Sequence, residues 1–295
     1  MTNLSDLIFR PVRAEDKPRV LEFTAHTWGE EEGDYIQYVF DDWLADATGR
    51  FVAAELEEQP VAIAKLTDLG DGELWLEGLR VDPAQRKQGI GQALHAHIID
   101  LAHQYAGRVL RYATGQDNPV SQTLGERTGF QHVSSYRWHV AEASLEFAPP
   151  ERLAPGDLPA LRVWLDSPLM RSAHGLYPYF WKWSTLSESR LHRLLDEGRV
   201  FGLRGERGSS FRAWAIGGVH DEWDEAQLYY LDGSDPAALV EQARSMRRLA
   251  ADAGRAKIEM PALDPSPIIE ALREAGYRSE DFCMWILELR MQNEA

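Results

Sequence analysis

The stretch from residue 73 to residue 105 constrains the fold more than any other part of the sequence. A strand-like run, Glu73–Val81, leads into a loop, Asp82–Gln88. Gly89 and Gly91 follow, at the start of a helix that the apolar periodicity predicts from about Ile90 to Tyr105. A strand that passes through a loop into a helix belongs to a fold that mixes both kinds of element.

The elements around this stretch predict an α+β fold. Two helices, Asp16–Trp28 and Tyr35–Leu44, come before the strands Phe51–Leu56, Val61–Leu69 and Glu73–Val81. After the central helix come a strand at Arg108–Ala113, a helix from Asn118-Pro119 to Gly129 and a strand at Phe130–Val140. Short turns between the first strands predict antiparallel hairpins. We therefore expect a mixed, mostly antiparallel sheet with flanking helices.

The second half of the chain repeats features of the first. Three pairs of segments share residue types in the same order: Pro11–Asp16 with Glu151–Asp157, Leu79–Asp82 with Tyr229–Asp232, and Glu126–Phe130 with Arg273–Tyr277. Their offsets are nearly constant, at 141, 150 and 147 residues. This pattern predicts a duplication, with domains at 1–143 and 144–295 and a linker at Ala141–Pro150.

Composition limits the classes of partner. The 295 residues carry a net charge of −16, which disfavours nucleic acid and better suits a cationic partner. Glu30–Glu32 and Asp34 could hold such a cation, although a solvated acidic turn is the simpler interpretation. One cysteine, Cys283, in an apolar run typical of a core strand, excludes a disulfide framework. With no bilayer-spanning run and no secretory signal, we expect a cytoplasmic protein; the oligomeric state stays open.

The two glycines make the loop a candidate anion site. Glycine lets the backbone approach a ligand closely, and free N–H groups at a helix start favour negative charge. Arg86 and Lys87 add positive charge beside them. A P-loop is excluded because Gln92 follows Gly91, and a dinucleotide fingerprint because Leu94 replaces a third small residue. The loop fits a diphosphate, with a solvated loop as the simpler alternative.

The residues after Val81 resemble the acyl-CoA signature of the GNAT superfamily of N-acetyltransferases. The family pattern is Arg/Gln-x-x-Gly-x-Gly/Ala, and here it reads Arg86-Lys87-Gln88-Gly89-Ile90-Gly91 after Leu79–Pro83. The stretch Asn118–Phe130, a helix that begins with Asn and closes in Gly-Phe, is similar to the family's second signature. The resemblance covers about Phe9–Val140 and is faint in the second half.

The resemblance implies acetyl-CoA as the donor substrate. Backbone amides of the loop would hold its diphosphate, and the end of the preceding strand would pair with its pantetheine arm. The expected cofactor contacts are Leu79, Val81, Arg86, Lys87, Gln88, Gly89, Gly91, Gln92 and Asn118. For Asn118, an N-cap role for the helix that begins at Pro119 is an equal alternative. No metal is expected, because no two of His95, His97 and His103 have the i, i+4 spacing.

Glu77 is the candidate general base. Acyl transfer to an amine requires that the amine lose a proton, that an oxyanion be stabilised and that a thiolate leave. Strand alternation predicts that Glu77 shares a face with Trp75, Leu79 and Val81, and an apolar surrounding would make its carboxylate a stronger base. The family often has an acidic base at this place; an ion pair with Arg80 or Arg111, or a position that faces solvent, is the alternative. A backbone N–H near Leu79 is the expected oxyanion donor.

The usual acid for the leaving thiolate is missing. Many family members carry Tyr one residue after the Leu of the Asn-led helix, where this chain has Gly125. The thiolate then leaves without a protein acid, or another group substitutes; Tyr112 and Tyr136 are in reach, and neither is favoured. A close approach of cofactor or partner is one reason for a glycine there. The leading hypothesis is an N-acetyltransferase in which a primary amine attacks acetyl-CoA directly in a ternary complex. The alternative is a non-catalytic acyl-CoA-binding or regulatory module.

The second half lacks the glycine loop. Gly233-Ser234-Asp235-Pro236 stands in its place, with no basic pair and an added acid that would repel a diphosphate. We therefore expect a degenerate GNAT-like domain that does not bind CoA productively. An aromatic cluster in this half could line an acceptor pocket, an interface or the core; its members are Tyr177, Tyr179, Phe180, Trp181 and Trp183.

Overall fold

The computed structural model describes residues 4–27, 33–105, 107–205, 210–220 and 224–291. The chain forms two compact units that interleave along the sequence. The first comprises Met1–Ala113, Pro119–Gln131 and Leu287–Ala295, and the second comprises Thr114–Asn118 and His132–Ile286. The boundary between residues 143 and 144 stays a prediction about domains, because these units exchange segments across it.

The first half of the chain has the predicted order of elements. They are β1 (Ile8–Pro11), α1 (Lys17–Thr24), α2 (Ile36–Ala45), β2 (Arg50–Leu56), β3 (Gln59–Asp68), β4 (Glu73–Val81), α3 (Ile90–Gln104), β5 (Val109–Gly115), α4 (Pro119–Arg127) and β6 (Gln131–Glu142). The first helix ends at Thr24 rather than at Trp28. The sequence does not predict β1, because four residues that end in Pro11 give too short a pattern.

The second half repeats this alternation. Its elements are β7 (Glu151–Arg152), α5 (Leu158–Leu161), α6 (Pro168–Ser172), β8 (Leu176–Tyr179), β9 (Lys182–Thr185), α7 (Glu188–Asp196), β10 (Val200–Arg204), β11 (Phe211–Gly218), β12 (Ala226–Gly233), α8 (Pro236–Asp252), β13 (Lys257–Leu263), α9 (Ile269–Glu274) and β14 (Arg278–Arg290). No helix in the described ranges is long and apolar enough to cross a membrane.

Antiparallel hairpins build most of the sheet in the first unit. Strands β1 to β4 pair antiparallel in chain order, and β5 pairs parallel to β4 after the α3 crossover. The helices α1 and α2 bury Val20, Phe40 and Trp43 in one cluster with Phe51 and Ile63 of the strands. Burying each such side chain contributes about 1.5–3 kcal/mol, so this cluster fixes the helices beside β4.

The second unit has the same strand order. Its strands β7, β10, β11 and β12 pair antiparallel in sequence, and β13 pairs parallel to β12 after the α8 crossover. A separate hairpin, β8–β9, is inserted before β10. The two units therefore match strand for strand, which confirms the predicted mixed sheet and the tandem arrangement.

The last strand of each half contributes to the other unit. In the second unit β6 pairs antiparallel with β13, with Ala141 opposite Ile258. In the first unit the end of β14 supplies Glu288, which accepts a 2.8 Å hydrogen bond from Arg111 Nε. The predicted linker is also too long at its start, because β6 continues through Glu142 and the irregular connection is 143–150.

Candidate active site

The strands β4 and β5 pair for only part of their length. Glu73, Leu74 and Trp75 pair with Val109–Arg111, and the rest of β4 pairs with β3 alone among the described strands. The second half of β4 therefore extends beyond its pairing with β5. A strand end of this kind accepts an extended chain as an added strand, and its N–H and C=O groups supply the hydrogen bonds.

A β-bulge lies at the middle of β4. Gly78 and Leu79 together stand opposite Ala64, since Glu77 pairs with Lys65 and Arg80 with Ile63. Gly78 has a φ of +64°, the left-handed conformation that such bulges require of their glycine. The bulge interrupts the regular pairing of β4 with β3 at the position of the expected oxyanion donor, a backbone N–H near Leu79.

The bulge overturns the predicted side-chain alternation along β4. Residues opposite each other on paired strands share a face, so Glu77 shares its face with Arg80, and not with Val81. The expectation that Glu77, Leu79 and Val81 share one face is therefore wrong. The surroundings of Arg80 are consistent with this face. Its guanidinium lies over the ring of Tyr35, at the start of α2, 5.3 Å from the ring centroid.

Glu77 is half-buried and hydrogen-bonded. The hydroxyl of Thr67 on β3 donates to Glu77 Oε1 at 2.6 Å. Tyr35, an exposed residue at the start of α2, is close enough for the charge of Glu77 to raise, and that of Arg80 to lower, the pKa of its hydroxyl. Sequence reasoning missed Thr67 and Tyr35, because neither lies in a recognisable motif.

The acidic residues expected to hold a cation are only partly described. Asp34 is 4% exposed and receives a 2.7 Å hydrogen bond from Arg80 Nε. It also accepts a bond from the backbone N–H of Ile36. Asp34 therefore neutralises Arg80 and fixes the start of α2. Because it is engaged in this way, it does not serve as the ligand of a free cation. Glu30–Glu32 lie outside the described residues.

The loop after β4 is held at its start by Asp82. This buried carboxylate caps the turn Pro83–Gln85 by accepting from Ala84 N at 2.9 Å, and it pairs with Arg19 of α1. Beyond the turn, Arg86 and Lys87 are exposed, and Arg86 Nε donates to Val81 O at 3.3 Å. The two positive charges thus stand in solvent beside the end of β4.

The start of α3 has the geometry of an anion site. Gly89, with a φ of +85°, is the N-cap and supplies no side chain. The first intrahelical bond runs from Ala93 N to Gly89 O, so the N–H groups of Ile90, Gly91 and Gln92 precede the helical ladder. Gln88 is half-buried, and Gln92 is exposed. These donors and the helix dipole favour a negatively charged group.

The two loop glycines have different surroundings. A Cβ atom built on Gly91 would lie 3.2 Å from Val81 Cγ2 and 3.9 Å from Leu79 Cδ2. Gly91 therefore lets α3 pack closely on the end of β4, apart from any ligand. A Cβ on Gly89 would lie 3.2 Å from Leu4 Cδ1, so the side chain of Leu4 borders the anion site.

Tyr112 explains the glycine in α4. A Cβ atom on Gly125 would lie 2.1 Å from the Tyr112 hydroxyl oxygen, which donates to Ser121 O at 2.9 Å. The space that a side chain would need is filled by Tyr112 of β5, so the expectation of a close approach by cofactor or partner is wrong. Asn118, just before α4, donates its backbone N–H to Gly115 O at 3.0 Å. Its cofactor and N-cap roles both stay predictions.

The two tyrosines considered as thiolate acids are engaged elsewhere. Burial raises the pKa of Tyr112 to about 12. Tyr136 is buried and donates its hydroxyl to Leu176 O at 3.3 Å. Both protons thus point at backbone carbonyls. His95 packs between Tyr112 and Phe130, and desolvation lowers its pKa to about 4, so it is a neutral core histidine at pH 7.

The second unit has a different helix start. Asp235 is the N-cap of α8 and accepts from Ala238 N at 2.9 Å, so a carboxylate of the chain occupies the place that an anion would take. Strand β12 also has a register shift. The pair next to this shift is Tyr230 with Ile216, and it corresponds to the pair of Arg80 with Ile63 in the first unit. This correspondence places Gln227 where the first unit has Glu77.

Cys283 lies in the core and not in the candidate site. Cys283 is buried in β14, and burial raises the pKa of its thiol. No group of three or more metal-ligating side chains occurs in the part of the chain that the structure describes.

Comparison with known proteins matches one segment of the chain to a family model and the whole chain to solved structures of the same fold. Residues 17–130 match the model of the Acetyltransferase (GNAT) family. A GCN5-related N-acetyltransferase from Sphaerobacter thermophilus superposes with a TM-score of 0.70 at 12% identity, covering 99% of this chain and 98% of its own. A tandem GNAT protein from the clavulanic acid biosynthesis pathway gives 0.58 at 13% identity, covering 98% and 100%. No curated protein matches the sequence.

Proposed function

We propose that this chain, whose residues 17–130 match the model of the Acetyltransferase (GNAT) family, is an acyltransferase that transfers the acetyl group of acetyl-CoA to a primary amine. The amine attacks directly while both substrates are bound. One observation carries this proposal: β5 pairs with β4 only at Glu73–Trp75, and the end of β4 beyond that pairing leads through the loop to the start of α3, which has no side-chain cap. A backbone edge followed by an anion site suits a ligand made of an extended arm and a diphosphate.

The donor would lie along β4 and the loop. Backbone N–H groups of Gln88, Gly89, Gly91 and Gln92 would hold the diphosphate, with Arg86 and Lys87 adding positive charge. Leu79 and Val81 would pair with the pantetheine arm, and Asn118 would contact the region near the sulfur. Leu4 borders Gly89, so the bound diphosphate would share the mouth of this site with an apolar side chain.

The chemistry needs a base and an oxyanion donor. The amine nitrogen would attack the thioester carbon and give its proton to Glu77, while the backbone N–H near Leu79 stabilises the oxyanion. The C–S bond then breaks and the electron pair leaves with the thiolate. Because the hydroxyl protons of Tyr112 and Tyr136 are directed to carbonyl oxygens, the thiolate would leave without help from either.

The acceptor is proposed only by class. The net charge of −16 favours a cationic amine over an anionic or nucleic-acid partner. The single cysteine fits a reducing compartment, so we propose that the enzyme acts in the cytoplasm on a small-molecule or peptide amine.

Calorimetric titration with acetyl-CoA tests the donor site. We expect the wild type to bind, and Gly89→Glu and Gln92→Glu to bind at least tenfold more weakly, because each places a carboxylate beside the diphosphate. Gly91→Glu should also weaken binding, because its side chain would push the start of α3 away from Val81 at the end of β4. Gln92→Glu is the cleanest of these, because an acid in the first turn stabilises a helix. Gly70→Glu is the matched control, since Gly70 is also left-handed, with a φ of +76° and open space around it. Absence of binding by the wild type would end the proposal.

Glu77→Gln tests the base. The amide keeps the size of the side chain and cannot take the proton, so we expect kcat to fall by ~10²-fold or more, with the Kd for acetyl-CoA within twofold of wild type. Thiol release with a panel of amines measures kcat, and Glu58→Gln, in the exposed β2–β3 turn, is the control. An unchanged kcat would remove Glu77 from the mechanism. Binding of acetyl-CoA without turnover on any amine would favour the non-catalytic module.

A further inference from the structure

The carboxylate of Glu77 is bound by an uncharged side chain of the neighbouring strand. The hydroxyl of Thr67 on β3 donates to Glu77 Oε1 at 2.6 Å, and both residues are half-buried. The register explains this contact, because Thr67 lies opposite Trp75 and Lys65 lies opposite Glu77. Residues two apart on a strand share a face, so Thr67 and Glu77 are diagonal neighbours on one face of the sheet.

The same face of the sheet carries three cations. Lys65 lies opposite Glu77, Arg80 shares the face of Glu77 beyond the bulge, and Arg111 of β5 lies opposite Trp75. Each cation has a carboxylate partner other than Glu77; the pairs are Lys65–Asp46 at 2.5 Å, Arg80–Asp34 at 2.7 Å and Arg111–Glu288 at 2.8 Å, with Glu73 also 3.1 Å from Arg111. The bond from Thr67, in contrast, adds no positive charge beside Glu77.

An uncharged donor can fix a general base and leave it able to take a proton. A cation bound to a carboxylate favours the charged form strongly and so weakens the attraction of that carboxylate for a proton. A hydroxyl group adds no charge and still restricts the last torsion of a glutamate, which is otherwise broad. Threonine suits this role, because its branched Cβ restricts χ1 and because β3 is paired on both sides, with β2 and β4.

We infer that Thr67 is a positioning residue for the acyl transfer, and that its hydroxyl holds the Glu77 carboxylate in the orientation that receives the proton of the acceptor amine. This inference rests on the proposed function, in which Glu77 is the general base. Without the bond from Thr67, the carboxylate would turn about its last torsion and would spend less time aligned with the amine.

Thr67→Val tests the role of the hydroxyl, because it removes the donor and keeps the shape of the side chain. We expect kcat in the thiol-release assay to fall about tenfold, with the Kd for acetyl-CoA within twofold of wild type, because orientation is lost and donor binding is not. Thr67→Ser restores a hydroxyl and should recover most of the wild-type kcat. Thr185→Val, at a half-buried position of β9, is the matched control. A wild-type kcat in Thr67→Val, or a kcat in Thr67→Ser as low as in Thr67→Val, would overturn the inference.

A double-mutant cycle shows whether Thr67 acts through Glu77. Adding Thr67→Val to Glu77→Gln should change kcat less than twofold, because the base that Thr67 orients is already absent. A further tenfold loss in the double variant would assign Thr67 to packing and overturn the inference.

The titration of the Glu77 carboxyl group tests the contact without turnover. In the full chain labelled with ¹³C-glutamate, the Glu77 resonance is the one that is missing from Glu77→Gln. We expect its midpoint to lie at higher pH in Thr67→Val than in the wild type, because a hydrogen bond to a carboxylate favours the charged form. The charged and titratable side chains around Glu77 are the same in both proteins; they are Lys65, Arg80 and Arg111 with their partners, and Tyr35 of α2.

This titration separates the inference from the proposed function. An unchanged midpoint in Thr67→Val, together with a low kcat in Glu77→Gln, would overturn the positioning role alone. A shifted midpoint, together with a wild-type kcat in Glu77→Gln or no turnover of any amine by the wild type, would overturn the proposed base and the positioning role with it.

Discussion

Gly125 illustrates how a residue that departs from a family pattern can have a purely steric cause. A glycine inside a helix costs about 1 kcal/mol relative to alanine, so its presence in α4 needs a reason. The reason is the Tyr112 hydroxyl, 2.1 Å from where a Cβ would stand. No spacing in the sequence relates residue 112 to residue 125, because the contact joins a strand to the helix that follows it. The sequence therefore predicts the departure and not its cause.

Gly125→Ala is expected to destabilise the fold. The added methyl group collides with Tyr112, and overpacking of this kind costs about 1–3 kcal/mol, which exceeds the gain in helix propensity. In Tyr112→Phe the hydroxyl oxygen is gone and the nearest ring atom, Cζ, is 3.1 Å from the new Cβ. Gly125→Ala should therefore cost less in the Tyr112→Phe background. Urea unfolding of the four proteins measures this coupling, and additive effects would contradict the explanation.

The surroundings of Glu77 also depend on contacts that local sequence patterns do not predict. Its candidacy follows from residue type and strand position, but its surroundings depend on the bulge beside it. One extra residue reverses the faces of all later side chains in a strand, so Arg80 joins Glu77 and Val81 turns toward α3. Glycine inside a strand is a signal for such a bulge, and Gly78 could have given it. Thr67 carries no signal of this kind, because only the β3–β4 register brings it to Glu77.

The element that most defines the candidate site is β4. Its bounds, Glu73–Val81, are those that the sequence predicts, and so is the start of α3 at Ile90. Turn chemistry and apolar periodicity are local, which is why both are visible in the sequence. The separation of β4 from β5 and the bulge are not local, since both depend on which residues pair across strands.

Gly78→Ala tests how the bulge is held. A Cβ on Gly78 would lie 2.4 Å from Trp43 Cη2, and its φ is +64°, so strain and collision act together. Gly70→Ala gives the penalty of the left-handed backbone alone, because open space surrounds Gly70. We expect Gly78→Ala to lower the free energy of unfolding by about 1–3 kcal/mol more than Gly70→Ala in urea titration. Equal losses would show that Trp43 does not restrict this site.

The crossover helices α3 and α8 occupy equivalent positions in the two units, but only the start of α3 suits an anionic ligand. Helix α3 begins at a glycine with no side-chain cap, and α8 begins at Asp235, whose carboxylate accepts from Ala238 N. The contact with this N–H lowers the pKa of Asp235, so the carboxylate is ionised at neutral pH. An ionised cap satisfies the helix start and repels a second anion. The sequence predicts this contrast, because Gly-Ser-Asp-Pro can be read directly as a capped helix start.

At the scale of the whole molecule, three pairs of similar segments predict the duplication. The sequence does not predict that β6 and the end of β14 each belong to the unit formed mainly by the other half of the chain. Both strands follow a helix in the predicted order, and periodicity gives each a buried face without naming its neighbour. In the structure β6 pairs with β13. At the end of β14, Glu288 accepts a hydrogen bond from Arg111. Strand partnership depends on contacts distant in sequence, which a single chain's local patterns do not record.

The duplication gives a last prediction: one acetyl-CoA per chain. If both units kept the donor site, calorimetry would return two sites, but at the start of α8 the Asp235 carboxylate accepts from Ala238 N and would repel a diphosphate. We expect a stoichiometry of one, with an affinity at least tenfold lower in Gln92→Glu. Asp235→Asn removes the negative charge and keeps an N-cap side chain, and it should leave the stoichiometry at one, because the second unit also lacks the basic pair Arg86-Lys87. Two sites in the wild type would contradict the assignment, and one-site binding at wild-type affinity in Gln92→Glu would contradict the placement of the donor at the start of α3.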